Sequence, residues 1–116
     1  MFTHPALLRE LNQMAELLRR GGEGGRSRRV VQAADSLRCL GWTAAGIQEI
    51  SRLRQEEEPW SQAGFGSEHE KSLGGAEAAA KATQRLRRHW DRLADLAALP
   101  IQAAPAGPRQ RSPDLA

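Results

Sequence analysis

The sequence predicts an all-α fold, a small bundle of about four helices with a long C-terminal helix and a disordered C-terminal tail. Three observations carry this expectation. Apolar residues recur at three- and four-residue steps in several separate stretches, the period of one helix face. No stretch shows the apolar–polar alternation of a half-buried strand, and no internal repeat is present. Glycine and proline gather between the periodic stretches, where helices must stop.

The first helix is expected over residues 5–20. Pro5 is tolerated in a first turn, and Leu7, Leu8, Leu11, Met14, Leu17 and Leu18 form one stripe. Arg9, Glu10, Gln13, Glu16 and Arg20 lie away from its centre. Gly21-Gly22-Glu23-Gly24-Gly25 then reads as a flexible hinge, since four glycines favour neither helix nor strand. The second helix is expected over 28–40, with Ser27 as N-cap. Its stripe is Val30, Ala33, Ala34, Leu37 and Leu40, and Gly41 stands where a left-handed cap is expected. Thr43 caps a third helix whose Ile47, Ile50 and Leu53 face inward, so helices two and three meet in a tight corner. Gly46 weakens that helix by about 1 kcal/mol relative to Ala; a close approach of another backbone would explain it.

Residues 55–75 read as an acidic, irregular loop. Pro59 stops the third helix after Glu56-Glu57-Glu58, and Trp60 and Phe65 are candidates to pin the loop to the core. The fourth helix is the longest, over 76–99. Its Ala79, Ala82, Leu86, Trp90, Leu93, Leu96 and Ala97 lie close to a 3.5-residue period. Residues 1–99 thus form one expected helical domain. Residues 100–116 carry four of the six prolines and are expected to be disordered.

Composition bounds the function. The chain has 116 residues, and 40% are apolar or aromatic, but 19 of these are alanine. The core is therefore thin. No apolar run approaches the roughly 20 residues that span a bilayer. The N-terminal stretch carries charges inside its apolar run, so no secretory signal is read there. Cys39 is the one cysteine, so no internal disulfide is possible and a reducing, cytoplasmic location is expected.

No motif points to an enzyme. The glycine run lacks the Lys-Ser/Thr of a phosphate-binding loop. His4, His69 and His89 are too scattered for a metal pattern and are expected to be ordinary surface histidines. Cys39 is expected to be a small packed side chain, and Glu56-Glu57-Glu58 a solvated acidic face or a docking strip for a basic partner. No cofactor, metal or small-molecule substrate is expected.

The net charge of +3 conceals a pattern. Residues 19–38 and 81–92 are basic blocks, and residues 49–77 hold seven Glu. Of the 17 cations, 15 are Arg, which fits either recognition of phosphate or carboxylate by its planar fork or a GC-rich genome, whose codons also specify the abundant Ala and Gly. Arg26, Arg28 and Arg29 stand at the start of helix two, where free backbone amides also favour anions, and Arg38 lies further along it. In helix four Arg85, Arg88 and Arg92 share one flank, whereas Arg87 is expected to pair with Asp91 one turn on.

Residues 29–54, RVVQAADSLRCLGWTAAGIQEISRLR, resemble the second helix pair of the DNA-binding domain of MerR-type regulators. Leu40, Gly41, Trp42, Thr43, Ile47, Glu49, Ile50 and Leu53 match that pair's pattern. In that family an irregular stretch and a long antiparallel dimerisation helix follow, and residues 55–75 and 76–99 are similar in order and length. The family's opening helix-turn-helix and wing have no counterpart here. The resemblance therefore implies a dimeric transcription regulator, or a truncated relative acting by heterodimerisation, and nominates no residue for base reading.

Two functions are expected from these features. The first is a small DNA-associated regulatory or accessory protein, acting as a dimer. Its backbone contacts would come from Arg26, Arg28, Arg29 and Arg38, with Arg85, Arg88 and Arg92 as a second set. The second is an adaptor, chaperone or inhibitor that uses the apolar faces of helices one and four. Leu11, Leu18, Leu86, Trp90, Leu93 and Leu96 are the candidate dimer or partner interface. The thin core suggests that helix four finds missing neighbours in a second copy.

Overall fold

The structure, a computed structural model, describes residues 3–98. They form helices α1 (Pro5–Arg20), α2 (Gly24–Leu40), α3 (Ala44–Ala63), α4 (Glu70–Leu73) and α5 (Ala76–Ala98). A 3-10 turn at Ser67–His69 precedes α4, and no strand occurs among the described residues. The all-α class is as the periodicity predicts. The expected disordered tail at 100–116 lies outside the described residues.

The four long helices are neighbours around a ring in the order α1, α2, α3, α5. Pairing across the ring runs antiparallel. Glu10 of α1 meets His89 and Arg92 of α5, while His4 meets Leu96. Arg26 and Arg29 of α2 meet Glu57 and Glu49 of α3. Leu7, Leu11, Met14 and Leu18 of α1 fill the centre with Val30 and Leu37 of α2, Ile50 and Leu53 of α3, and Leu86, Trp90 and Leu93 of α5.

This packing corrects one expectation. Leu11, Leu18, Leu86, Trp90 and Leu93, read as a dimer or partner seam, are all buried inside a single copy, and Leu96 packs half-buried against them. Within one chain the stripe of α5 packs against the Leu-rich stripe of α1. A strict heptad period reports only that a helix face is covered, not by whom.

The second correction concerns 21–25. The expected hinge is a packed turn. Only Gly21-Gly22-Glu23 connects the helices, and Gly24 and Gly25 already belong to α2. A Cβ on Gly21 would lie 2.3 Å from the Phe65 ring, so the glycine admits that aromatic. Gly22 turns the chain at φ +89°. The N-cap of α2 is consequently Glu23. Ser27, expected as the cap, lies inside the helix and donates to the carbonyl of Ala15 at 2.7 Å.

The corner between α2 and α3 follows the sequence closely. Thr43 caps α3, its hydroxyl accepting from the Gly46 amide at 3.3 Å. Gly41 adopts φ +72° with ψ −176°, a glycine conformation but not the left-handed helical one expected. The close backbone approach at Gly46 is present: a Cβ there would lie 2.2 Å from the Gly41 carbonyl oxygen. Helix propensity alone would make Gly46→Ala stabilising by about 1 kcal/mol. The steric conflict reverses the sign, and a net loss of about 1–3 kcal/mol is expected. A urea midpoint that stays put or rises would contradict it.

The third correction is at 55–75. Pro59 does not stop α3, which runs four residues further to Ala63. Its tertiary partners outweigh the lost helical hydrogen bond. Glu57 and Glu56 reach Arg26 and Arg29, and Arg54 reaches Glu58. The three glutamates are thus ion-paired rather than a purely solvated face. Trp60 and Phe65 do pin the segment, meeting edge to face at 5.7 Å. Beyond α3, Thr83 of α5 accepts from the Phe65 amide at 2.9 Å and holds the turn down.

The histidines are also not ordinary surface residues. His4 and His69 are buried and His89 is half-buried. Nδ1 of His69 accepts from the Gly66 amide at 2.9 Å, which leaves the ring proton on Nε2, facing Glu23 at 2.7 Å. His4 works similarly at the opposite pole. It accepts from the Leu7 amide, capping α1, and reaches the carbonyl of Leu96 at 3.0 Å. Cys39 is exposed, not packed. It follows buried Leu37 by two positions, about 200° around the helix.

Candidate nucleic-acid interface

The two arginine clusters marked by the sequence have different fates. The α2 cluster is largely neutralised by α3. The guanidinium of Arg26 lies 2.9 Å from Glu57 and 3.5 Å from Glu23, and it stacks over Trp60 at 4.5 Å. Arg29 reaches Glu56 at 2.6 Å and Glu49 at 3.2 Å. Burial disfavours its charge, but Glu56 and Glu49 more than offset that and hold the guanidinium above its ordinary pKa. Arg38 pairs with Asp35 at 2.6 Å on the surface. Arg28 alone of the four has no carboxylate within ion-pair distance among the described residues.

The α5 cluster behaves differently. Arg85, Arg88 and Arg92 line one groove between α5 and α1, on the shared flank that their spacing predicts. Arg87 leaves that flank. It donates to the carbonyl of Gln62 and makes no ion pair with Asp91 among the described residues. The groove holds about 450 Å³ where Ala6, Arg9, Glu10, Gln13, Arg85, Arg88, His89 and Arg92 line it. It continues past Gln13, Arg85 and His89 as a space of about 380 Å³ lined also by Asn12, Glu16, Leu17 and Arg20.

Arg9 and Arg20 are therefore candidate site residues absent from the sequence expectation. The signal was present: Arg9, Gln13, Glu16 and Arg20 step by four, three and four, so they occupy one flank of α1. What the sequence could not show is that this flank faces Arg85 and Arg88.

The charges in the groove are unequal. Arg9, Arg20, Arg85 and Arg88 are exposed and have no carboxylate within ion-pair distance among the described residues. The two acids on the walls are already engaged. Glu10 is 4% exposed, and its carboxylate bonds His89 through one oxygen and accepts from Arg92 Nε at 3.2 Å through the other. Glu16 accepts from Arg19 at 2.5 and 3.0 Å. That hydrogen bond, with the charges of Arg19 and Arg20, holds its carboxyl below the ordinary glutamate range, so it stays ionised and bonded to Arg19. The Arg92 side chain remains 70% exposed despite its bond to Glu10. The result is a concave strip with a clear excess of positive charge, carried on two packed helices.

Among the described residues no group of three or more His, Cys, Asp or Glu is placed to hold a metal ion. No helix among them is long and apolar enough to cross a membrane. Comparison of the chain with models of known protein families, with curated proteins and with solved structures found no match.

Proposed function

We propose that this protein is a small, non-catalytic DNA-associated accessory or regulatory protein that grips the phosphate backbone in the α1/α5 groove. One observation carries the reading: four exposed arginines from two helices, Arg9, Arg20, Arg85 and Arg88, converge on one groove with no carboxylate paired to them among the described residues. Guanidinium groups fork onto phosphate oxygens through parallel hydrogen bonds, and phosphate contacts supply most of the affinity of sequence-independent DNA binding. The contacts are reassigned relative to the sequence expectation. Arg26 and Arg29 serve the fold, and the groove set of Arg85, Arg88 and Arg92, joined by Arg9 and Arg20, serves the ligand. The likeness of residues 29–54 to MerR-type regulators fits a DNA-associated role. The groove is complete within one copy, so the reading needs no dimer.

The adaptor reading is less well supported. It relied on the apolar faces of helices one and four, which the chain covers itself. The exposed large hydrophobic side chains among the described residues are Val31 and Leu40, each 40% exposed.

The test is a mobility shift with duplex DNA at low salt. The native protein is expected to shift the duplex at micromolar concentration, in the range of non-specific binding. The double variant Arg85→Glu, Arg88→Glu is expected to bind at least about tenfold more weakly, since it adds like charge against phosphate. Both positions are exposed, so folding is expected to be unaffected. Equal shifts by both proteins would remove the groove from consideration.

A further inference from the structure

Resting on the reading just given, we infer that the groove takes the outside of a DNA duplex in preference to a single strand, and holds it without regard to base sequence. Three features of the groove lead there.

Among the described residues the groove has no stacking platform. Proteins that hold single strands gain about 1–3 kcal/mol per base from aromatic side chains. Among the described residues no tryptophan or phenylalanine lines this groove. Trp90 and Phe65 are buried, Trp42 meets His4, and Trp60 lies under Arg26. The ring on the wall among the described residues, His89, is bonded to Glu10. A nucleic acid in this groove is held by its phosphates alone.

Phosphate-only binding favours the duplex. Double-stranded DNA carries one charge per ~1.7 Å of axis, a denser array than one strand offers. It is also stiff over ~50 nm, so it loses little freedom on docking, whereas a single strand must be ordered against the wall. The α1 wall runs from Ala6 to Arg20. At about 1.5 Å per residue it is about 21 Å long, the rise of about six base-pair steps.

The geometry also keeps the protein away from base edges. Base reading requires one helix or ribbon to enter a major groove about 12 Å wide. Here the arginines flank a depression between two packed helices, which together are about 20 Å across. A ridge of backbone fits into that depression, but the helix pair does not fit into the DNA.

The experiment measures affinity by fluorescence anisotropy with the whole chain. The probes are a labelled duplex of about 20 base pairs, or two helical turns, its two separate strands, a duplex of shuffled sequence, and poly-glutamate as competitor. The duplex is expected to bind at least about tenfold tighter than either strand, and the shuffled duplex equally well. With four phosphates engaged, log affinity against log salt is expected to slope at about −3.6, a loss of about 150-fold between 50 and 200 mM salt. Strands that bind as tightly as the duplex overturn this inference and leave the backbone reading standing. A strong preference between the two duplex sequences does the same. Failure to bind any nucleic acid, or displacement of the duplex by poly-glutamate at equal charge, overturns both.

Discussion

Trp90→Ala is expected to destabilise the protein by about 3–5 kcal/mol, the range for deleting a buried aromatic ring. Trp90 is 1% exposed and heads the largest fully buried side chains. It sits on α5 between Leu86 and Leu93, both buried against the rest of the core. In a domain whose total stability is typically 5–15 kcal/mol, that loss approaches unfolding. Trp90→Phe is a sharper companion. The indole N–H of Trp90 is buried with no acceptor among the described residues. Phenylalanine removes that unpaired donor and keeps most of the apolar area, so a cost of only about 1 kcal/mol is expected. Urea titrations of the three proteins, each at two protein concentrations, check both. If stability rises with concentration and Trp90→Ala merely abolishes that rise, the ring belongs to a seam between copies and the single-chain core is wrong.

Arg29→Ala is expected to cost about 2–3 kcal/mol, while Arg88→Ala costs less than about 0.5 kcal/mol. The two arginines look alike in sequence, each within a basic block. In the fold Arg29 lies between Glu49 and Glu56, its side chain 20% exposed. Removing it leaves Glu49, itself 14% exposed, without its interhelical partner. Breaking one side of a fully buried pair costs more than this, and the residual solvent contact of Glu56 reduces the figure. Arg88 stands in the groove with no carboxylate within ion-pair distance among the described residues. The functional outcome is expected to be the converse. Arg29→Ala leaves duplex affinity unchanged once corrected for the folded fraction, and Arg88→Ala lowers both affinity and its salt dependence. Loss of DNA binding from folded Arg29→Ala protein would return the interface to α2.

The contrast between these residues shows what was legible in the sequence. Local signals are legible. The bounds of α1, the end of α2, the Thr43 cap and the start of α5 all rest on neighbours within one turn. Gly46 was legible for the same reason, because it and Gly41 are five positions apart at one corner. Cys39 and the Gly41 conformation were misjudged locally, but the larger misreadings involve partners distant in sequence. Pro59 and three glutamates resemble a loop until Arg26 and Arg29 are placed opposite them, about 30 positions away in the chain. Gly21 resembles a hinge until Phe65 fills the space over it. The stripe of α5 resembles a dimer seam until α1 is laid on it. The candidate site suffered likewise: a flank of arginines was visible on each helix, but not that the flanks converge. Nor could spacing tell which basic block would meet the acidic stretch.

The antiparallel pairing of α1 with α5 has a kinetic and entropic side. The bonds that define it join residues 79, 82 and 92 positions apart, Glu10 to His89, Glu10 to Arg92, and His4 to Leu96. The entropy of closing a loop grows with its length, and contacts this remote are slow to form. The groove is the seam at which the ring of helices shuts. It comes into being only when the first and last helices have met, so a nascent or partly opened chain has no groove to offer. Whatever the groove binds thereby reports that the whole ring has closed, and holds it closed.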